Sequence, residues 1–411
     1  MTGTSPPLPA AFRLQSDRGF SLVELIVVMA IFIVVMIVTS ATFDNIIARA
    51  GGQMSTATTE VEGVVGLEVL RYDIEHAGYG LPWSFDSTPN PYSETTLGAG
   101  ALAPGVNPSV FNDPAGTPPH PLLFGAATKQ VNGDDALIGG RGPDYVVIKS
   151  AVASLTPESR RWTYVNYSSV GGVNSSVLKR WNNGSDFQDK DSVITLRTGY
   201  GDGGETRQLV MNGTAFHYAV NGPKPPSAFM PGDGTQLFVT YGVAHDVALR
   251  MPYNRTDYYI RKADGIGGSC SPGTGTLFKA FYAQGDDADE YTELPLVNCV
   301  GDMKVVFQMR DDAGSESYQS VSVLPGEMTA EQMRNSLKTV RVYLLAHEGT
   351  YDRRFSFPYT DPANVLVVGD KGMPSQARVW TADAMKEAFG DNWRNYRWKV
   401  YTLAIKPKNL R

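Results

Sequence analysis

The longest apolar run of the chain lies near its N-terminus. Every residue from Leu25 to Val38 is apolar, and the apolar segment extends back to Phe20 with only two polar positions, one of them Glu24. A helix over this segment would be about 28 Å long, enough to cross the hydrocarbon core of a bilayer. Basic Arg13 and Arg18 precede the segment, which favours a cytoplasmic N-terminus and export of the residues that follow.

A second apolar pattern continues the helix beyond the membrane segment. Between Ile47 and Val65, apolar residues recur every three or four positions, as on a helix that packs one face on a core. No proline occurs between Phe20 and Ala77, and Gly78 and Pro82 then supply a C-terminal stop. We therefore predict a long helix over 20–77, whose first half, 20–38, is transmembrane.

The pattern changes twice after this helix. Residues 78–143 are rich in proline and glycine without any period, which predicts a loop region over the surface. Residues 144–411 are predicted to form a β-rich globular domain. Its predicted strands are Asp144–Ile148, Trp162–Tyr167, Val193–Arg197, Gln208–Met211, Ala215–Val220, Leu237–Tyr241, Asp257–Lys262, Thr276–Ala280, Leu294–Val305, Thr339–Ala346 and Trp398–Ile405. Of these, we expect 257–262 and 276–280 to be a pair of edge-like strands.

Local signals add one turn and two short helices. Asn212-Gly213 is a typical hairpin turn sequence. Thr329 and Gln332 form a capping box at the start of a helix over 329–337, and another helix is expected over 382–389. The pattern as a whole predicts an α+β fold, in which a long, half-transmembrane N-terminal helix packs on an antiparallel β-rich globular domain.

Composition and charge narrow the classes of function. The 411 residues are 42% apolar and 19% charged, with a net charge of -6. No long run of Lys and Arg occurs, so a nucleic-acid partner is not expected. The abundance of Tyr, Val and Thr agrees with a β-rich domain.

The chain has two cysteines, Cys270 and Cys299. Neither their spacing nor their neighbours suggest a zinc site. If the domain is exported, one disulfide between them is the natural interpretation. The alternative is a pair of unpaired buried thiols.

Glu24 bears on how the N-terminal segment is used. The segment fits an ordinary signal peptide cut near Ala41, a plain membrane anchor, or a leader cut before the apolar run. A carboxylate inside a membrane helix costs on the order of 2–3 kcal/mol on insertion scales, and only the third interpretation gives it a use. A cut after Gly19 leaves a new α-amine on Phe20, and Glu24 can pair with that amine in its own chain or in a neighbouring one.

The stretch Gly19-Phe20-Ser21-Leu22-Val23-Glu24 and the following apolar run resemble the prepilin signature of type IV pilins and of the pseudopilins of type II secretion. The resemblance implies cleavage of the leader 1–19 after Gly19, N-methylation of Phe20 and a role for Glu24 in assembly. The segment 70–80 is similar to the end of the long helix in PilW-type minor pilins and in the J-type minor pseudopilin.

The resemblance implies a minor pilin that takes part in type IV pilus assembly, priming the filament or sitting near its tip. Its expected partners are other minor pilins, the major pilin, prepilin peptidase and the inner-membrane assembly platform. The expected location is the bacterial inner membrane with a periplasmic C-terminal domain, and then the cell-surface filament. The alternatives are a minor pseudopilin of type II secretion, or a tip adhesin that uses the middle region, 83–256, which resembles the family little or not at all.

No motif for catalysis or cofactor binding is present. The His-Glu-x-x-His, Gly-x-Ser-x-Gly and phosphate-loop patterns are absent, and the five histidines are scattered. We therefore expect no enzyme activity and no cofactor. Two oxygen-rich segments, Gly201–Glu205 and Gly285–Glu290, could bind calcium, but neither fits an EF-hand loop, and acidic surface turns are the default interpretation.

Overall fold

The computed structural model describes residues 22–85, 92–114, 116–201, 204–262 and 269–410, with side chains outside 41–62. The chain divides into two compact units, Met1–Met54 and Ser55–Arg411. The second unit contains all the strands among the described residues. The predicted α+β class is confirmed, because an apolar N-terminal helix precedes a large, mainly antiparallel β-rich domain.

Helix α1 spans Leu22–Glu75, close to the predicted 20–77. Two further α-helices occur in the described part of the chain, α2 (Ala330–Ser336) and α3 (Ala382–Phe389). The strands are β1 (Ser84–Phe85), β2 (Leu122–Ala126), β3 (Asp144–Ser150), β4 (Trp162–Asn166), β5 (Ser169–Val170), β6 (Val173–Asn174), β7 (Val177–Leu178), β8 (Asp191–Gly201), β9 (Gly204–Leu209), β10 (His217–Ala219), β11 (Leu237–His245), β12 (Asn254–Arg261), β13 (Gly275–Tyr282), β14 (Tyr291–Arg310), β15 (Glu316–Gln319), β16 (Ser322–Val323), β17 (Leu337–Glu348), β18 (Leu366–Val368), β19 (Arg378–Trp380) and β20 (Arg397–Ile405).

The main sheet has nine strands within the described ranges, in the order β16-β2-β3-β12-β13-β14-β17-β20, with β15 paired to β14. All its pairings are antiparallel. The prediction that β12 and β13 are edge-like strands is wrong, since both lie in the middle of this sheet. Their charged residues favoured an edge assignment, but Arg255 and Asp257 of β12 and Lys279 of β13 are buried among oppositely charged partners.

Helix α1 covers one face of this sheet with its last turns. Leu70 and Ile74 are fully buried in the main core together with Leu67. Because successive residues of a strand point to opposite faces, the contact of α1 with Tyr258 of β12 assigns Asp257 to the other face. A second core on that other face packs α3 and the β18–β19 hairpin against β14, β17 and β20.

The region 78–143, predicted as a loop, contributes to the core of the domain. Strand β2 lies inside it and pairs with β3, so the strand at 144 does not open the sheet. Phe111 stacks on Tyr145 with ring centroids 5.2 Å apart, and Leu102 is buried in the main core. The described part of this region therefore packs across the sheet face opposite α1.

A second, seven-stranded sheet is formed within the described residues by β1, β4 and β7–β11. Strands β4 and β7–β11 fall between β3 and β12, two strands that are direct neighbours in the main sheet. The middle of the chain is therefore an insertion into one connection of the main sheet. It has small cores of its own, one built around Val193 and Phe238 and another around Leu196 and Leu209.

The predicted turn and caps agree with the structure. Asn212 and Ala215 form a β-bridge that closes a turn over Gly213 and Thr214, and Gly213 has φ +61°, a left-handed conformation that glycine adopts readily. Thr329 caps α2 by accepting a hydrogen bond from the Gln332 backbone N–H, and the Gln332 side chain accepts one from Thr329. The capping box is thus confirmed.

Candidate functional site

The N-terminal part of α1 is long and apolar enough to cross a membrane. The span Leu22–Ser40 has 19 residues, and its described apolar side chains are exposed along their whole length. Apolar side chains exposed along a helix of this length suit the hydrocarbon core of a bilayer.

Glu24 lies in the first described turn of α1, within the candidate membrane span. Gly19 and Phe20, the predicted cleavage and methylation positions, lie outside the described residues. Their assignment stays a prediction, as does the pairing of Glu24 with an α-amine.

The C-terminal end of α1 is fixed to the main sheet by a buried polar contact. The carboxylate of Asp73, 2% exposed, lies 2.5 Å from Nζ of Lys279 and accepts a hydrogen bond of 2.6 Å from the Tyr258 hydroxyl. Burial raises the pKa of Asp73 above its usual range, an effect that Lys279 and Tyr258 only partly offset. The contact sets the rotation of α1 on the sheet.

Asp73, Glu75 and His76 lie close together in the sequence at the end of α1 but do not form one site. Asp73 points into the sheet, whereas Glu75 pairs with Lys408 near the C-terminus. The ring of His76 stacks on Tyr72 with centroids 4.1 Å apart, and its Nδ1 is within hydrogen-bond distance of the Tyr72 carbonyl oxygen. Asp73 and Glu75 therefore attach the helix end to other parts of the domain, whereas His76 contacts α1 itself.

Cys270 and Cys299 form a disulfide, which joins the segment before β13 to β14. Cys299 has φ +58°, a left-handed conformation that few residues other than glycine adopt. The ring of His347 lies beside the disulfide, and its Nε2 accepts a hydrogen bond from the Ser271 backbone N–H at 2.9 Å. Burial lowers the pKa of His347 to about 4, so this imidazole is neutral at physiological pH.

The second oxygen-rich segment uses its best-placed carboxylate within the protein. Asp289 accepts hydrogen bonds from the Thr95 hydroxyl and from both the backbone N–H and the hydroxyl of Thr96, while its own N–H donates to Asp287. It thus ties the loop region to the β13–β14 connection. The first segment, Gly201–Glu205, falls partly outside the described residues.

Two groups of side chains in the described ranges bring together three atoms of metal-ligating type. One consists of the disulfide and His347, and a disulfide offers no thiolate. In the other, Asp191 already accepts hydrogen bonds from Arg161 at 2.7 Å and lies 2.9 Å from Nδ1 of His245, with Glu158 nearby. Both groups have internal partners, and neither is assigned a metal.

Sequence reasoning missed a cluster of buried charges under the loop region. It consists of Glu94, Asp113, His120, Lys149 and Arg255, all of them buried. Burial raises the pKa of Asp113, but Lys149 and His120 outweigh this effect and hold it below its usual range. A lysine directly after the apolar strand 145–148 was the signal available in the sequence, yet nothing pointed to its partners.

An apolar groove of about 470 Å³ runs beside α1 in the second unit. Val64, Val65 and Tyr72 of the helix line it, each more than 40% exposed, and Val152 and Leu155 form its opposite side. Exposed apolar side chains grouped in this way are typical of an interaction surface.

The comparisons with known proteins bear on the N-terminus. The family described as prokaryotic N-terminal methylation motif matches residues 14–40. No curated protein and no solved structure matches the chain. The prepilin-type motif and the apolar helix that follows it support a type IV pilin-like protein with a pilin or pseudopilin role, and they are consistent with membrane anchoring.

Proposed function

We propose that this chain is a minor pilin of the PilW type, which takes part in type IV pilus assembly by priming the filament or sitting near its tip. The observation that carries the proposal is the methylation motif over 14–40, which overlaps the start of the 54-residue helix α1. The last turns of that helix belong to the core of the folded domain. A helix that serves both as membrane span and as core element suits a subunit that is transferred, domain included, from bilayer to filament.

The role is structural rather than catalytic, and its chemistry lies at the processed N-terminus. Prepilin peptidase would cut after Gly19, and Phe20 would carry the methylated α-amine. Glu24 would then pair with such an amine when subunits meet at the assembly platform in the inner membrane, because an unpaired carboxylate is costly in hydrocarbon. Partners on this proposal are the major pilin and the other minor pilins.

The apolar groove supports contact with a neighbouring subunit along α1. Val64 and Val65 lie on the same helix as the membrane span and are 51% and 62% exposed. Burying such side chains against a neighbour gains about 25 cal/mol for each Å² of apolar surface removed from water.

A second candidate is a tip adhesin, which the inserted seven-stranded sheet favours. The small β5–β6 hairpin on this insertion exposes Val170 and Val173, at 70% and 66%. Exposed valines on a short hairpin suit contact with another molecule more than packing within the chain. A minor pseudopilin would share the N-terminal features but has no separate observation in its favour.

The test begins with the mass of the mature N-terminus, which should start at a methylated Phe20. Glu24→Ala should be processed normally yet fail to support pilus assembly in a strain lacking the native gene. Ser21→Ala, a polar-to-apolar change in the same segment, is the matched control and should assemble. Normal piliation with Glu24→Ala, or a mature chain that starts near Ala41, would refute the proposal. A loss of protein secretion with normal pili would point to the pseudopilin role instead.

A further inference from the structure

Lys149, the last charged residue of β3, meets two carboxylates inside the domain. Its Nζ lies 2.6 Å from Oδ2 of Asp113 and 2.8 Å from Oε1 of Glu94. The three side chains are 0–2% exposed. An amine, a carboxylate to react with and a second carboxylate therefore share a site that excludes water.

The carboxylate of Asp113 is also held by His120, whose backbone N–H donates to it. The backbone N–H of His120 lies 3.3 Å from Oδ1 and 3.2 Å from Oδ2, and the ring Nδ1 of His120 is 2.5 Å from Oδ1. The other ring nitrogen lies 2.7 Å from the Met328 carbonyl oxygen, which fixes the ring in place. Donors directed at a carboxyl oxygen stabilise the negative charge that forms on it when a nucleophile adds to the carbon.

Glu94 lies beside the Lys149 amine and the backbone of Asp113. Its Oε1 accepts hydrogen bonds from Nζ of Lys149 and, at 2.7 Å, from the backbone N–H of Asp113. Nη1 of Arg255 lies 3.0 Å from Oε2 and compensates its charge. A carboxylate within hydrogen-bond reach of the nucleophile and fixed beside the electrophile is suited to carry protons between them.

We propose that Lys149 and Asp113 form an intramolecular isopeptide bond, with Glu94 as the proton carrier. Glu94 relays one proton from the lysine ammonium to Oδ2 of Asp113, which leaves a neutral amine facing a neutral carboxylic acid. Nζ then attacks Cγ, and Oδ1 takes the negative charge beside His120. A second proton passes from nitrogen to Oδ2 by way of Glu94, the Cγ–Oδ2 bond breaks, and water leaves.

The reaction is balanced without any other reactant. One ammonium and one carboxylate become one secondary amide and one water molecule, and Glu94 returns to its starting form. The burial of the site keeps bulk water from reversing the condensation. The groups are already held in contact, so the step is effectively unimolecular.

The bond would fasten the loop region to the main sheet. Asp113 and Lys149 are 36 residues apart in the chain, and a covalent link between them would restrict the unfolded chain as a disulfide does. It would join the covering loop to β3, which leads directly into the inserted sheet. Loop and sheet would then stay together under tension.

A second buried lysine provides the control. Lys279 is as close to Asp73 as Lys149 is to Asp113, with Nζ 2.5 Å from Oδ2. The third group of this cluster is the Tyr258 hydroxyl, which donates a hydrogen bond to Asp73, whereas the Lys149 cluster has a second carboxylate. On the proposed mechanism this pair lacks a proton carrier and stays an ion pair.

The experiment is an intact-mass measurement on the full chain, purified from membranes in detergent and reduced, followed by tryptic mapping. We expect a mass one water below that of the processed sequence, and a branched peptide that joins Lys149 to Asp113. Glu94→Gln, which preserves shape, should restore the full mass, as should Lys149→Arg, whereas Lys279→Arg should keep the water loss. A full wild-type mass with a normal peptide ending at Lys149 would overturn the proposal, as would water loss that persists in Glu94→Gln.

Discussion

At Gly66, helix α1 lies directly against the backbone of β14. A Cβ atom at this position would be 2.4 Å from the carbonyl oxygen of Leu296 and 2.8 Å from its carbonyl carbon. Three residues earlier on the same helix, a Cβ on Gly63 would be 3.5 Å from the Tyr401 hydroxyl, an ordinary contact. The alanine variants of these two glycines therefore test how closely the helix approaches the sheet.

The expected effects have opposite signs. Replacing a helical glycine by alanine gains about 1 kcal/mol of helix propensity at either position. At Gly66 the added methyl overlaps backbone atoms that cannot rotate away, and overpacking of this kind costs about 1–3 kcal/mol. If overpacking costs about 3 kcal/mol and the gain in helix propensity offsets about 1 kcal/mol of it, Gly66→Ala should lower the free energy of unfolding by about 2 kcal/mol. Gly63→Ala should raise it by about 1 kcal/mol.

Urea unfolding of the full chain in detergent, followed by tryptophan fluorescence, measures both variants against the wild type. Equal denaturant slopes would establish that only stability changes. The reasoning would be refuted if Gly66→Ala were as stable as Gly63→Ala, because the helix could then stand farther from β14 than the structure has it.

Further predictions concern the buried histidine, the cysteines and the leader. Burial holds the pKa of His347 at about 4 in the folded chain, against about 6.5 in the unfolded chain, so folding disfavours protonation of this ring. Its contribution to the free energy of unfolding should therefore be fully present above about pH 6.5, and that free energy should fall by about 3 kcal/mol as the pH drops towards 4. His347→Gln, which keeps an acceptor for Ser271, should show a smaller loss between pH 7 and pH 4.5 in the same unfolding assay; an unchanged loss would exclude this histidine as its source. A thiol assay on denatured, unreduced protein should detect no thiol, and any signal from Cys270 or Cys299 would contradict the disulfide. Gly19→Val should leave the full-length precursor in the membrane on immunoblots, and normal shortening would argue against cleavage at that site.

The long helix and most strands could be predicted from sequence because their signals are local. The apolar run, the helical period up to Val65 and the alternating segments each depend on neighbouring residues. The ends of β11 and β14 extend beyond the predicted strands, to His245 and Arg310, because backbone pairing continues past the apolar stretch that identified them. Strand ends are set by the partner strand, which local patterns do not report.

The central strands β12 and β13 and the loop region could not be assigned correctly for a different reason. Charged residues such as Arg255 and Lys279 normally mark solvent-exposed strands. Here Arg255 pairs with Asp257, two residues along β12, and with Glu94, 161 residues away, whereas Lys279 pairs with Asp73, 206 residues away. A charged residue can be predicted as buried only when an oppositely charged partner can be identified for it. No periodic pattern in the sequence connects positions that lie so far apart.

Some residues of the candidate sites could be recognised from the sequence, and others could not. The residues that define the prepilin signature are consecutive, so Gly19, Phe20 and Glu24 can be recognised from their order along the chain. Lys149, Asp113 and Glu94 come from a strand and from two points of a proline-rich loop, and only folding brings them together. The proline-rich composition predicts a surface loop where the structure has the densest group of buried charges.

The place at which the inserted sheet joins the main sheet has a functional consequence. Since β3 and β12 are neighbours, with Ser150 opposite Asn254, the chain leaves the main sheet and returns to it at one place. An insertion at such a point can change without disturbing the pairing of the strands around it. It is nevertheless held to the end of α1: β1 pairs in parallel with β9, and the guanidinium of Arg207 lies 4.5 Å from the centre of the Trp83 ring. A load on the inserted sheet would therefore reach α1 through β1, and the main sheet through β3, beside the proposed bond at Lys149.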